Sequence, residues 1–381
     1  MAAHPSIVIA GAGIGGLTAA LALRARGFAV RVFERVPTLR PVGAGLTLQH
    51  NAMRALASIG LDEAVAAVGH RLTRMHVRGW DGRVLQRLDA EAAAVRWGAP
   101  MIGVHRAALH RVLVERVGDD LTLGAAVTGF EERGDGVRVA LSNGETVDAA
   151  MLVGADGIRS VVRAKLHGEA PLRYAGYTSW RGVCGDRGVV GDAVPGETWG
   201  RGLRFGWVPV AEGIYWFAVA DAPEGGADAG DPREGLRAHF KGWHAPVEAL
   251  IGATAADHIV RTDIHDRPPL RAWGRGRVTL LGDAAHPMTP NLGQGACQAI
   301  EDAVVLAREL ARDATSEGLR RYEAARIPRT TRVVNEAWRF GKVGQASNPL
   351  LCTLRDAVVA LTPDAAAVRA VDWLYDFRPE G

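Results

Sequence analysis

Cysteine is scarce in this chain. Cys184, Cys297 and Cys352 are the only three in 381 residues. They are odd in number and far apart, so they offer neither a disulfide framework nor a zinc pattern, and they fit a reducing compartment. Lysine is equally rare: Lys165, Lys241 and Lys342 are all there are, and the other cationic side chains are arginines. The formal net charge of +3 is small for this length and requires no nucleic-acid partner. No run reaches the roughly 18 uninterrupted apolar residues of a membrane-spanning helix. The N-terminal "SIVIA" has no charged leader or cleavage site before it, so a cytoplasmic protein is expected. HExxH, GxSxG and CxxC are all missing, and the twelve histidines show no ligand spacing, so no metal is expected. What remains, 48% hydrophobic and 23% charged, suits an ordinary globular chain of one large or two medium domains.

Glycine is the residue the chain does not lack, and its positions are informative. "SIVIAGAGIGGLTAALALRARGFAVRVFER" reads as strand, tight turn, helix, strand. Ile7 to Ala10 form the short apolar run of a strand buried on both faces. Gly11, Gly13 and Gly16 follow in G-x-G-x-x-G spacing. The first permits the turn, the second lets backbone approach a pyrophosphate, and the third lets helix and strand touch. Orphan N–H groups and the dipole at the helix start favour the phosphate charge. Gly27 is placed to end that helix. Glu34 closes the next strand, at the distance where an acid meets ribose hydroxyls; an acid there disfavours a 2′-phosphate. The motif leaves NAD and FAD both open.

Later segments repeat this pattern. "MIGVHRAALHRVLVERVG" is a short strand and a helix, with Arg106 at the helix start. "GVRVAL" and "ETVDA" form a hairpin around Ser-Asn-Gly, and "MLVGADG" is an apolar strand ending in Asp156 and Gly157. "GRVTLLGDAAH" is another buried strand, with Asp283 at the carboxyl end where ligands bind in open α/β sheets. "GQGACQAIEDAVVLARELARD" is then a helix whose first turn, Gly293 to Ala296, has no bulky side chain. Its backbone N–H groups can approach a flat ring, with the positive end of the dipole beneath it.

Taken in order, "GAGIGG", "HR" at 105–106, "GADGIRSVVR" and "GRVTLLGDAAHPMTPNLGQGACQAIEDA" resemble the single-component FAD-dependent aromatic hydroxylases. These are flavoprotein monooxygenases similar to para-hydroxybenzoate hydroxylase, and the resemblance covers residues 5 to 330. "RYAGYTSWRGV" resembles the subgroup of urate hydroxylases and zeaxanthin epoxidases. The resemblance implies tightly held, noncovalent FAD and transient NAD(P)H. It implies Ile14 and Gly15 among the pyrophosphate contacts, Glu34 and Arg35 at the adenosine ribose, Arg106 at the pyrophosphate and Val127 at the adenine. It also implies Thr47 and Asp156 as cofactor residues, with Asp283 near the ribityl chain. Pro290, Gly293, Gln294, Gly295, Ala296 and Cys297 would then face the isoalloxazine. The implied chemistry is oxygen transfer from a flavin C4a-hydroperoxide to an electron-rich aromatic or heteroaromatic molecule, by hydroxylation or epoxidation. The alternatives are a related flavoprotein reductase or halogenase, or a flavin-binding protein without turnover.

The expected fold is α/β (α+β): a Rossmann-like FAD-binding domain from residues 1–170 and 276–330, with an inserted, mostly antiparallel sheet at 171–275 and C-terminal helices at 331–381. The insertion is rich in β-branched and aromatic residues and contains Trp180, Trp199, Trp207 and Trp216. By resemblance to the urate hydroxylases, Arg204 is the catalytic candidate and faces the substrate, with Tyr215, Trp216 and Pro290 beside it. Those enzymes have an acid where this chain has Asn291, which argues against urate. The C-terminal stretch reads as two amphipathic helices broken at Pro363, either packing on the back of the domains or forming an interface or membrane-surface face. A monomer or homodimer is expected.

Overall fold

A computed structural model describes residues 6–39 and 45–380. Its first layer is a five-stranded parallel sheet in the order Val278–Leu280, Met151–Gly154, Ile7–Ala10, Val30–Glu34, Leu121–Leu123. Ile7 to Ala10 and Met151 to Gly154 are buried throughout: helix Ile14–Ala25 packs on the sheet, and the separate three-stranded sheet of Thr146–Ala149, Gly136–Leu141 and Val127–Arg133 adds Phe130, Val137 and Val139 to the same core. The glycine-initiated helix Ile14–Ala25 lies beside the late helix Gly295–Arg312 and the helix Arg106–Val117. All three helices start at the carboxyl edge of the strands, as the reading of the glycine motifs requires. Gly27, with φ of 88°, follows the C-cap Arg26 of the first helix.

The second layer is a seven-stranded sheet in the order Val260–Asp266, Arg173–Cys184, Gly213–Asp221, Leu203–Val210, Gly196–Trp199, Arg74–Gly79, Val84–Asp89. Every pairing is antiparallel except that of Gly196–Trp199 with Arg74–Gly79. The sheet is therefore not confined to 171–275: the hairpin 74–89 extends it. "RMHVRG" and "VLQRLD" are polar, half-exposed strands at the sheet's end, and their composition does not set them apart from loops. A three-stranded sheet of Gly45–Leu48, Met101–His105 and Gly69–Leu72 joins the two layers. Gly103 there has Pro209 O 2.3 Å from where a Cβ would stand, so no larger residue fits without moving backbone.

Register decides which side chains look toward the first layer. Arg204 pairs with Val219 and Val208 with Tyr215, while Phe205 pairs with Ala218 and Trp207 with Trp216. Opposed residues share a face, and successive residues alternate. Tyr215 and Val208 pack with Leu72 and Met101 at the junction between layers. Trp216 faces the other way, which corrects its expected place beside the substrate. It is fully buried in a separate core with Phe205, Leu236, Phe240 and Leu250. Its ring stacks on Phe205 at 5.5 Å, and its indole N–H donates to Thr254 Oγ1 at 2.8 Å. Two neighbours in one strand cannot both line one face.

The chain closes with helix Ser316–Gly344, which runs unbroken across the expected boundary at 330. Helices Pro349–Leu361, Asp364–Ala370 and Asp372–Tyr375 follow, with the break at Pro363 as expected. No helix among the described residues is long and apolar enough to cross a membrane.

Candidate cofactor and substrate site

The three motif glycines divide the work as their spacing suggests. Gly11 has φ of 100°, and a Cβ there would meet Ala155 O at 2.5 Å. A Cβ on Gly16 would meet Gly11 O at 2.1 Å, so this glycine is the helix–strand contact. A Cβ on Gly13 would meet nothing within 4 Å, because Gly13 lines an open cleft of about 1030 Å³. Gly15 differs: its Cβ would meet Leu281 Cδ2 at 2.7 Å and Ala299 Cβ at 3.0 Å, so its smallness serves packing against the late motif. Ile14 is buried at the helix start.

The cleft brings together Gly11, Gly13, Glu34, Arg35, Arg106, Val127 and Asp156 from five segments of sequence. Glu34 does more than close its strand. Its Oε2 accepts from the Ala12 N–H at 2.8 Å and its Oε1 from the Val36 N–H at 3.2 Å, which fixes the glycine turn to the strand end. His110 lines the same cleft and bonds through Nε2 to Ala12 O at 2.7 Å. It was not anticipated, although it stands four residues after Arg106 on the same helix face, a spacing that could have revealed it. Asp156 Oδ2 accepts from the Val161 N–H at 2.8 Å and the Val162 N–H at 3.3 Å. Its Oδ1 is buried without a partner among the described residues, and burial pushes its carboxyl above the usual range.

A second group gathers at the start of helix Gly295–Arg312. Asp302 Oδ2 accepts from the Gly282 N–H at 3.0 Å and bonds His286 Nε2 at 2.6 Å, and its Oδ1 accepts from Arg326 Nε at 2.6 Å. Burial alone would raise this carboxyl, but the charges of His286 and Arg326 hold it down at about 2. Asp302 thereby fixes the turn that carries Asp283. Asp283 is exposed to open space; the protein crowded around it pushes its carboxyl up, against the pull of His286 and Arg106.

Gly293 has φ of 64°, and Gly295 faces open space, where a Cβ would meet nothing within 4 Å. Ala296 is half-buried and Pro290 exposed. Gln294 and Cys297 instead turn inward. Gln294 Oε1 accepts from Asn51 Nδ2 at 3.0 Å, and its amide donates to Gln49 Oε1. Cys297 Sγ points to Thr47 O at 3.7 Å, and burial pushes the thiol up to about 12, so it is an inert packing group. Both side chains are fully buried, and Thr47, itself half-buried, gives its carbonyl oxygen to the Cys297 contact.

Arg204 lies on the inner face of the seven-stranded sheet and is 2% exposed. Its Nη2 donates to Asn291 Oδ1 at 2.7 Å, its Nε to Gln345 Oε1 at 2.6 Å and its Nη1 to Glu197 Oε1 at 3.2 Å. The guanidinium carbon stands 5.7 Å from the Tyr177 ring centroid, and the Tyr177 hydroxyl accepts from Asn291 Nδ2 at 2.8 Å. Arg204 is thus no solvent-face cation; it ties the sheet to the 290–292 turn and to the end of the long helix. No local spacing announces Asn291 or Gln345 as its partners, since they lie 87 and 141 residues away.

Residues 5–337 match the family model described as FAD binding domain. The chain is 49% identical over 359 residues to the aurachin C monooxygenase/isomerase of Stigmatella aurantiaca, covering 93% of this chain and 94% of that protein. It is 39% identical over 384 residues to the 3-amino-4-hydroxybenzoate 2-monooxygenase of Streptomyces cremeus, covering 97% and 94%. The crystal structure of Klebsiella pneumoniae HpxO with FAD and uric acid superposes with a TM-score of 0.91 at 32% identity, covering 97% of this chain and 96% of that one. The chain belongs to the FAD binding domain family and, within it, to the flavin-dependent monooxygenases. FAD is the cofactor. The residues fit it: the open faces of Gly13 and Gly295 admit phosphate and a flat ring at two helix starts, and the unpartnered Asp156 Oδ1 awaits a donor.

Proposed function

We propose that this chain uses NAD(P)H and dioxygen to hydroxylate or epoxidise an electron-rich aromatic or heteroaromatic small molecule, in the cytoplasm. The observation that carries the reading is the pair of open glycine faces, Gly13 and Gly295, at the starts of two helices on the carboxyl edge of one parallel sheet. When bound, FAD supplies the reduction by NAD(P)H, the activation of oxygen and the transfer of one oxygen atom. Everything else is binding, orientation and exclusion of water. Glu34 and Arg35 would hold the adenosine ribose, Val127 the adenine, and Arg106 and the N–H groups after Gly13 the pyrophosphate. Asp283 would take the ribityl chain. The N–H groups and dipole of the first turn from Gly293 to Cys297 would stabilise negative charge on the reduced ring.

Arg204 would orient the substrate from the opposite wall. Together with the fixed Asn291, Tyr177 and Glu197, it forms a buried polar patch that can recognise a ring hydroxyl or oxyanion. Related enzymes act on urate and on 3-amino-4-hydroxybenzoate. Urate is not proposed here, because the neutral Asn291 already gives its carbonyl oxygen to Arg204. The test is NAD(P)H oxidation and oxygen uptake by the purified holoenzyme against a panel of phenols, aminophenols and heteroaromatics. A member that accelerates both together supports the reading. A flavoprotein that no member and neither nicotinamide reduces contradicts it.

A further inference from the structure

Helix Pro349–Leu361 is turned inside out relative to an ordinary surface helix. Its only charged residues, Arg355 and Asp356, are tucked toward the protein and paired at 2.9 Å, and Arg355 also donates to Gly344 O and Gly200 O at 3.1 Å. The face toward solvent carries Leu350, Leu351, Leu354, Val358 and Leu361, which are 81%, 57%, 61%, 56% and 81% exposed. Thr353 is the single polar residue among its exposed positions. A helix with apolar residues outward and ions inward lacks a partner.

We propose that this partner is a second copy of the chain, seated helix to helix across a twofold axis. Leu351, Leu354, Val358 and Leu361 recur at steps of three, four and three, the spacing by which two helices interlock. The exposed area of the five side chains is on the order of 600 Å² per copy, so a symmetric pair would bury about 1,200 Å², the lower bound for a specific interface. A twofold contact needs a patch complementary to itself, which an uncharged leucine row satisfies. A lipid surface is the less favoured occupant. Helices that lie on membranes present Lys and Arg around the apolar face, and the one cation of this helix is buried against Gly200.

Leu354 is nearest the middle of the helix, so it would meet its own counterpart at the axis. Sedimentation velocity of the FAD-loaded protein from about 1 to 50 µM should show a dimer of the 40.4 kDa chain at the upper concentrations. Leu354→Glu and Leu354→Lys, each with unaltered flavin absorbance, should weaken association at least about tenfold, and an equimolar mixture of the two should restore it. Leu354→Cys should cross-link covalently under mild oxidation, because the three native thiols are buried. A monomer at every concentration overturns the proposal. So does a monomer that instead co-sediments with phosphatidylglycerol vesicles, or failure of the mixed variants to pair.

Discussion

Arg204 on the seven-stranded sheet donates to Asn291 Oδ1 at 2.7 Å, across 87 residues of sequence. This bond links the sheet that would cover the substrate to the turn preceding the helix that would sit under the flavin. Arg204→Ala should therefore keep the flavin spectrum while lowering kcat/KM about 10- to 100-fold, the cost of a charge-assisted bond or two. It should also divert NAD(P)H electrons to hydrogen peroxide. Arg204→Lys should recover only part of this, since an ammonium cannot reach Asn291, Gln345 and Glu197 from one planar fork. Peroxide formed per NAD(P)H consumed is the readout; unchanged coupling in the alanine variant would place Arg204 outside the substrate site.

Gly13 and Gly16 are three residues apart and should fail differently. A side chain at Gly13 enters the open cleft, so Gly13→Val should fold, melt close to the wild-type apoprotein and purify colourless. A methyl at Gly16 collides with Gly11 O at 2.1 Å. Gly16→Ala should cost about 1–3 kcal/mol of stability through overpacking. Thermal melts of the apoproteins beside the 450 nm absorbance separate the two effects.

Arg106→Ala and Asp283→Ala should each weaken FAD binding by about 1–3 kcal/mol. Titration of the apoproteins with FAD checks this. Wild-type affinity in both variants would remove these residues from the cofactor site.

Asp302 gives the fold a pH-dependent component. Its folded carboxyl titrates at about 2, below the ordinary 3.8. The stabilisation is therefore fully present above pH 3.8 and is lost as pH falls toward 2, a change of about 2–3 kcal/mol. Asp302→Asn should be less stable than wild type at neutral pH, because it removes the buried charge that holds His286 and one side of Arg326, leaving Arg326 only Glu301 and Gln298. The difference should narrow below pH 4 in denaturant melts. A constant difference across that window would assign the stabilisation elsewhere.

What could be read beforehand follows a physical division. Gly11, Gly13, Gly16 and Glu34 were legible because a phosphate turn is a local device, set by glycine spacing over one strand and one helix start. The late strand with Asp283, the hairpin at Ser-Asn-Gly and the break at Pro363 were legible for the same reason. Trp216 was misplaced because facing depends on strand register, which the composition of an aromatic-rich strand does not reveal. The strands at 74–89 escaped notice because a polar strand at a sheet's end carries little apolar alternation. Gln345 and Asn291 became partners of Arg204 only through the packing of the long helix and the 290–292 turn against the sheet.

If the paired glycine sites hold a flavin that moves one oxygen atom from dioxygen to an aromatic ring, the origin of the product's new oxygen is decisive. The direct measurement is turnover under ¹⁸O₂ with NAD(P)H and the substrate that best accelerates its oxidation, followed by mass spectrometry of the product. A gain of one ¹⁸O per product molecule is expected, with none from labelled water. A product bearing water oxygen, or NAD(P)H oxidation that yields only hydrogen peroxide with every substrate, would contradict it.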